Sequence, residues 1–310
     1  MALAQQITDR FHRAMDSDIY YSFRRSPLTI AAAATTFVIF FAAAFAPWIA
    51  PHNPFDLASL DLSNALKPPF WSQDGLMAFP LGTDDQGRDV FSTIMFGARI
   101  SLIVGVCSVV FAMLLGVTLG LMSGYIGGAV DSIIMRIADV QLSFPAILIA
   151  LMIDGIVRGV VSSQRYEEIA LFVLIVSIGL ASWVAYARTV RGSVMVERNK
   201  EYVQAARVIG LSPTLIMIRH VLPNVTGPVL VIATINLGIA IITEATLSFL
   251  GVGIPPTTPS LGTLINTGNN FLFSGEWWIT LFPGAALAIL VLAVNLLGDW
   301  LRDALNPKLR

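Results

Sequence analysis

The chain has 310 residues, 55% of them hydrophobic and only 13% charged, with a mean hydropathy of +0.75. A soluble domain of this length carries nearer a quarter charged residues, so the composition excludes a soluble globular protein and points to an all-α, polytopic membrane protein. The net charge of −1 argues for neither nucleic acid nor a broadly basic surface, and any functional charge must be local.

In chain order, residues 1–27 form a polar segment whose Arg24 and Arg25 lead into an apolar run. That run, 28–50, is long enough for the roughly 20 residues a span requires, whereas the core of a cleaved signal is about 7–15 residues. It is read as a first transmembrane helix. Residues 51–98 form a long polar loop, whose last part sets Asp84, Asp85, Arg88 and Asp89 around Gly82 and Gly87. This reads either as a capped turn leading into a helix or as a contact surface for a partner. The aspartates are adjacent rather than at ligand-loop spacing, which argues against a metal.

Residues 99–301 are read as the membrane core. Its spans are expected at 100–123, at 144–157 with a helical lead-in from Asp131, and at 168–187, 225–249 and 279–301. With the first helix they make about six transmembrane helices, followed by a terminal segment, 302–310. Cys107 is the single cysteine; it falls inside an apolar run, reads as a small hydrophobe, and allows no intrachain disulfide. Polar groups within spans are costly and are candidate path residues by default. Asn236 and Glu244 in the fifth span read as path or gate residues, or as interhelical packing bonds. Asn295 and Asp299 read as structural, with Arg302 as a partner for the latter. Asp139 and Asp154 bracket the third span, where carboxylates are cheap, and Pro145 allows a kink or a helix start.

Orientation follows from lysine and arginine, which are retained on the cytoplasmic side of short loops. With the N-terminus inside, that side receives Arg10, Arg13, Arg24, Arg25, Arg136, Arg188, Arg191, Arg198, Lys200, Arg207, Arg219, Arg302, Lys308 and Arg310, fourteen of the nineteen. Loop 250–278 carries none, while 188–224 carries six. Both termini and the segment 188–224 are therefore expected in the cytoplasm, and 51–98 outside.

That segment contains EYVQAARVIGLSPTLIMIRHVLPN (201–224). Its first part has good helix formers and sets Val203, Ala206 and Gly210 near one face. Gly210 supplies a stop, and Ser212 followed by Pro213 is an N-cap with proline at the first helical position. A second helix should run through Leu215, Ile216, Ile218 and Val221 until Pro223 ends it. The expected shape is helix, corner, helix, with small residues Ala205, Ala206 and Gly210 on the surface. Spacing alone leaves two readings open: a docking element, or an amphipathic interfacial connection.

The stretch resembles the cytoplasmic signature of the permease subunits of bacterial ABC importers, an E-A-A triplet followed after three residues by Gly. Here the triplet is Gln204-Ala205-Ala206, the glycine is Gly210, and the ending is His220-Val221-Leu222-Pro223; Gln204 and His220 depart from the general pattern. Three further stretches, PLGTDDQGRDVFSTIMFGARISL (80–102), TEATLSFLGVGIPP (243–256) and NLLGDWLRDALNPKLR (295–310), are similar to the second-permease subunit of the dipeptide, oligopeptide and nickel branch. The resemblance implies a type I ABC importer permease fold in the bacterial inner membrane. It implies a partnership with a homologous second permease, two ATP-binding subunits carrying ATP and Mg, and an external solute-binding protein.

Carried over, the residues that couple to the ATPase would be Glu201, Gln204, Ala205, Ala206, Gly210 and Leu211, with Ser212 and Pro213 setting the corner. The G-x-x-x-G of Gly116 and Gly120 reads as close packing within the permease pair. The transported solute would be a di- or oligopeptide, a nickel chelate or glutathione. No Gly-Lys dipeptide occurs, so the chain has no phosphate loop of its own and is expected to bind no cofactor and hydrolyse no ATP. His12, His52 and His220 are far apart, and no nucleophile sits with a base. A self-sufficient secondary transporter would call for inverted repeats and ionisable residues near mid-membrane, neither of which is evident.

Overall fold

The computed structural model describes residues 18–56, 60–255 and 258–305. Arg10, Arg13, Lys308 and Arg310, counted above toward the orientation, and Pro256 lie outside the described residues. Within them the chain is helical, with one isolated bridge, Thr83 to Asp89, as the sole β pairing among the described residues. Five helices are long and apolar enough to cross a membrane, and one pair bent by 95° makes a sixth span if counted as one.

A short helix α1 (Asp18–Arg25) precedes α2 (Pro27–Ala44). Ser26 caps α2 by accepting from the Thr29 amide at 3.3 Å, and Pro27 sits where its missing N–H costs nothing. The expected run 28–50 is broken at Phe45. Pro47 cannot continue the ladder of α2, and a separate turn, α3 (Ala46–Ile49), follows. Next, α4 (Val90–Ile126) begins ten residues before the expected span, because Asp89 caps it there by accepting from the Phe91 and Ser92 amides. Its 37 residues span about 55 Å.

The third span is two helices, α5 (Gly128–Leu142) and α6 (Ala146–Val160). The lead-in from Asp131 therefore does not continue into the span: the chain turns sharply ahead of Pro145, and α6 starts behind it. α7 (Ser163–Glu197) is longer than expected at both ends. After α8 (Glu201–Val208) comes α9 (Pro213–Phe249), then α10 (Leu261–Asn269) and α11 (Trp278–Leu305).

Pro223 does not end a helix. It lies at the start of the α-helical part Leu222–Phe249, and a π-helical turn, Met217–Val221, joins this part to the first turn Pro213–Ile216. In the wider turn the Leu222 amide reaches the Met217 carbonyl, five residues back, so the helix runs past a proline without a sharp break.

α4 and α7 form the most intimate pair. A methyl group on Gly120 would stand 2.5 Å from the Ala187 carbonyl oxygen, and one on Gly116 would collide with the Trp183 carbonyl. The G-x-x-x-G thus packs two helices of this chain rather than two subunits. Gly120→Ala is expected to force α4 and α7 apart at a cost of about 1–3 kcal/mol, read as a lower melting temperature of the purified chain. An unchanged melting curve would show that the interface can yield.

Candidate functional site

The corner after α8 is built by backbone bonds. The Gly210 amide donates to the Arg207 carbonyl at 3.0 Å and the Leu211 amide to the Ala206 carbonyl at 3.2 Å, the paired closure of a Schellman end. Gly210 has φ of +82°, with open space where a side chain would point. Glycine adopts this conformation freely, whereas other L-residues are strained there by roughly 1–2 kcal/mol. Ser212 Oγ then accepts from the Leu215 amide at 3.4 Å, and Pro213 opens α9.

The buried face of α8 is Val203 and Ala206, which join Val190 and Val194 of α7 and Ile216, Val221 and Val225 of α9 in one apolar cluster. Ala206 is only 3% exposed, so it belongs to the inner face rather than to the open small-residue surface expected for it. Ala205, Glu201 and Gln204 are exposed, and Leu211 is half-buried against the same cluster. Gln204 Nε2 donates to the Arg198 carbonyl at 3.3 Å, closing the end of α7; the glutamate of the general signature has no hydrogen to offer there.

Beyond these residues the tip carries Val208 and Ile209, 87% and 74% exposed. Neither belongs to the triplet-and-glycine signature. The signal was present, because once Val203 and Ala206 fix the inward face, two apolar residues directly before Gly210 must point elsewhere.

Three tethers hold α8 to the membrane helices. The Tyr202 hydroxyl donates to Glu197 of α7 and accepts from Asn224 Nδ2 of α9 at 3.2 Å. Burial, and then the Glu197 carboxylate, push the Tyr202 phenol up to about 12, so it stays a donor at neutral pH. Arg207 lies over the ring of Tyr125 in α4, 5.1 Å from its centroid. These contacts link α8 to the ends of α4, α7 and α9. Behind them, Arg191 grips Asp131 of α5 with two bonds of 2.6 and 2.7 Å, and Ser123 donates to the same carboxylate.

The acidic segment lies at the other end of α4, about 55 Å away along the helix, and does not meet the corner. Asp84 and Arg88 form an ion pair of 2.6 Å with both side chains buried. Asp84 Oδ1 also accepts from the amides of Gln86 and Arg88, each at 2.9 Å. Asp89 caps α4 through the Ser92 amide (2.9 Å) and hydroxyl, and Trp278 donates to the Thr83 carbonyl at 3.0 Å.

Asp85 differs from its neighbours, since its Oδ1 is buried without a partner. Burial, and then the charge of Asp84, raise its carboxyl above the usual range. Its proton is thus held more tightly folded than unfolded. The cost of its charge is present at neutral pH and is relieved as pH falls through the folded value. Asp85→Asn is expected to raise the apparent melting temperature at pH 7 by on the order of 1–2 °C. That gain should vanish on acidification toward pH 4, and a gain independent of pH would refute the assignment.

Within the bundle, Glu244 is fully buried. It accepts from Ser101 Oγ of α4 at 2.6 Å and Ser248 Oγ at 2.7 Å, while Ser101 Oγ in turn accepts from the Leu261 amide at 3.3 Å. Asn236 is half-buried beside Tyr186, and Asn236 Nδ2 and the Tyr186 hydroxyl are both buried without a hydrogen-bond partner. Asp154 is not the cheap terminal carboxylate expected. It is completely buried, paired with Arg158 at 2.7 Å, and accepts from the Tyr166 hydroxyl. Asp299 makes no ion pair with Arg302 among the described residues. No group of three or more His, Cys, Asp or Glu able to hold a metal ion occurs among the described residues.

This architecture has counterparts among known proteins. Residues 116–310 match the family described as binding-protein-dependent transport system inner membrane component. Residues 17–69 match the N-terminal transmembrane domain of oligopeptide transport permease C. The chain is 39% identical to a di/tripeptide transport system permease protein of Pseudomonas aeruginosa, over 88% of this chain and 86% of that one. It is 34% identical to a glutathione transport system permease protein of Pectobacterium atrosepticum, covering 100% and 97%. An inward-facing structure of the MetNI methionine ABC transporter superposes with a TM-score of 0.53 at 19% identity, over 69% of this chain and 96% of the other. The fold, the membrane helices and the family match agree: the chain belongs to the binding-protein-dependent transport system inner membrane components and is a multi-pass permease subunit of an ABC importer.

Proposed function

We propose that this permease carries di- or oligopeptides and takes its drive from ATPase subunits docked on the α8 tip. The observation that carries the reading is a solvent-facing Val208–Ile209–Gly210 apex on a helix tied to three membrane helices. An apolar knob exposed to solvent suits a cleft in a protein partner. The positive charges of 188–224 support a cytoplasmic apex, with both termini on the same side. A homologous second permease completes the path, and an external binding protein delivers the solute. ATP and Mg are held by the ATPase subunits, whose closure moves α8 and, through its tethers, turns α4, α7 and α9 between inward- and outward-open arrangements. A second reading, glutathione as the solute, is favoured by the likeness to a glutathione permease along the whole chain.

Reconstitution in liposomes with the second permease, the ATPase subunits and the binding protein tests both. ATP-dependent dipeptide uptake is expected, lost in Gly210→Asp together with co-elution of the ATPase subunits. Glutathione uptake without dipeptide uptake would select the second reading. Uptake by this chain without ATPase subunits would overturn both.

A further inference from the structure

A cavity of about 290 Å3 lies where α2 meets α9 and α11, away from the coupling apex and the acidic loop. Thr36 and Phe40 line it from α2, Leu237 from α9, and Val294, Gly298 and Trp300 from α11. Thr234 also lines it, its hydroxyl donating to the Val231 carbonyl at 2.8 Å; the rest of the wall is apolar, yet Thr36 Oγ1 and Trp300 Nε1 are both buried without a hydrogen-bond partner. Inside a bilayer water is not at hand to satisfy them, and the indole N–H can only donate. Along α11 the cavity runs from Val294 to Leu301, roughly 10 Å, which accommodates a stretch of acyl chain.

The end of the cavity at Trp300 meets α1, where Phe23 stands edge-on to the Trp300 ring with centroids 5.2 Å apart. The next two residues, Arg24 and Arg25, are exposed and form no ion pair among the described residues. Arg25 lies over the Tyr21 ring at 5.3 Å. Arg302 is also close in sequence to Trp300, but with Asp299 and Asp303 beside it the local sequence there is not net positive. The uncompensated positive charge is thus the Arg24–Arg25 pair. The cavity demands an apolar body, an acceptor for two donors, and a negative group at the arginine end.

We propose that this cavity holds one anionic phospholipid. Its acyl chain lies between α2, α9 and α11, an ester carbonyl accepts from Trp300 or Thr36 after a rotamer change uncovers the donor, and its phosphate meets Arg24 and Arg25. The lipid cements the first helix, which packs on α11 and α4, to the rest of the bundle. A peptide does not suit the site, because a wall that is apolar apart from Thr36, Thr234 and Trp300 would leave most of its amides unpaired.

The test is native mass spectrometry of the full-length chain released from detergent containing equal phosphatidylglycerol and phosphatidylethanolamine. One retained phospholipid per chain is expected, with phosphatidylglycerol preferred by roughly tenfold. Arg24→Gln with Arg25→Gln should cut the preference to within about twofold. Gly298→Leu, whose side chain enters the cavity beside Thr234, should lose the retained lipid. Should that variant fail to fold, quenching of tryptophan fluorescence by brominated phosphatidylglycerol decides. The wild type is expected to show a quenched component absent from Trp300→Phe and absent with brominated phosphatidylethanolamine. No stoichiometric lipid, a preference unchanged in the arginine variant, or quenching equal for the two lipids would overturn the proposal.

Discussion

Joint replacement of Val208 and Ile209 by aspartate is expected to detach the ATPase subunits and to reduce ATP-driven uptake to background, while the permease itself remains intact. Residues that anchor a protein interface each contribute about 2 kcal/mol or more. Losing even one such anchor weakens docking about thirtyfold, and two aspartates add the cost of desolvating charge against an apolar cleft. Both side chains are more than two-thirds exposed, so the fold has little stake in them, and surface changes of this kind stay within about 0.5 kcal/mol. Co-elution of the ATPase subunits and the melting temperature of the isolated chain therefore separate the two effects. Wild-type co-elution and uptake in the double variant would show that the apex is not the docking surface.

Asp84→Ala is expected to give the largest loss of stability outside the membrane helices. Its pair with Arg88 is buried on both sides, at 4% and 6% side-chain exposure, and breaking such a pair from one side costs about 3–5 kcal/mol. The lost partner also strands two backbone amides. Loop 60–89 should become sensitive to limited proteolysis, and the melting temperature should fall. Asp84→Asn, which can still accept from an amide, should lose less. Equal loss in both variants would assign the effect to charge alone, and no loss in either would mean that the knot does not hold the loop.

The architecture was largely legible before the structure, for physical reasons that also mark where legibility stops. Hydropathy located the spans, since apolar length is what a bilayer selects. It misjudged helix starts such as Val90, because it does not see a cap like Asp89, whose carboxylate holds the Phe91 and Ser92 amides. Gly210 and Ser212–Pro213 announced the corner through local backbone preference, and the corner formed as expected. The end assigned to Pro223 was wrong because proline signals a missing bond, and a π turn supplies another way to live with it. Least legible were pairs made by the fold. Asp131 and Arg191 are 60 residues apart, and the Asp154–Tyr166 contact requires the turn between α6 and α7 to exist first. Ala206 shows the same limit on a small scale, since a small side chain reads as surface or as contact depending on what lies opposite it.

The passage of α9 past Pro223 has a mechanical meaning. From Pro213 to Phe249 it is one rod of 37 residues, about 55 Å long, whose short arm begins at the corner and whose far end reaches the level of buried Glu244 and beyond. A tilt of about 10° at the corner would sweep the Phe249 end through roughly 10 Å. Had proline broken the helix where it stands, that displacement would be spent in a flexible joint. On the proposed coupling, an unbroken rod would make the permease a lever, with its gearing set by helix length.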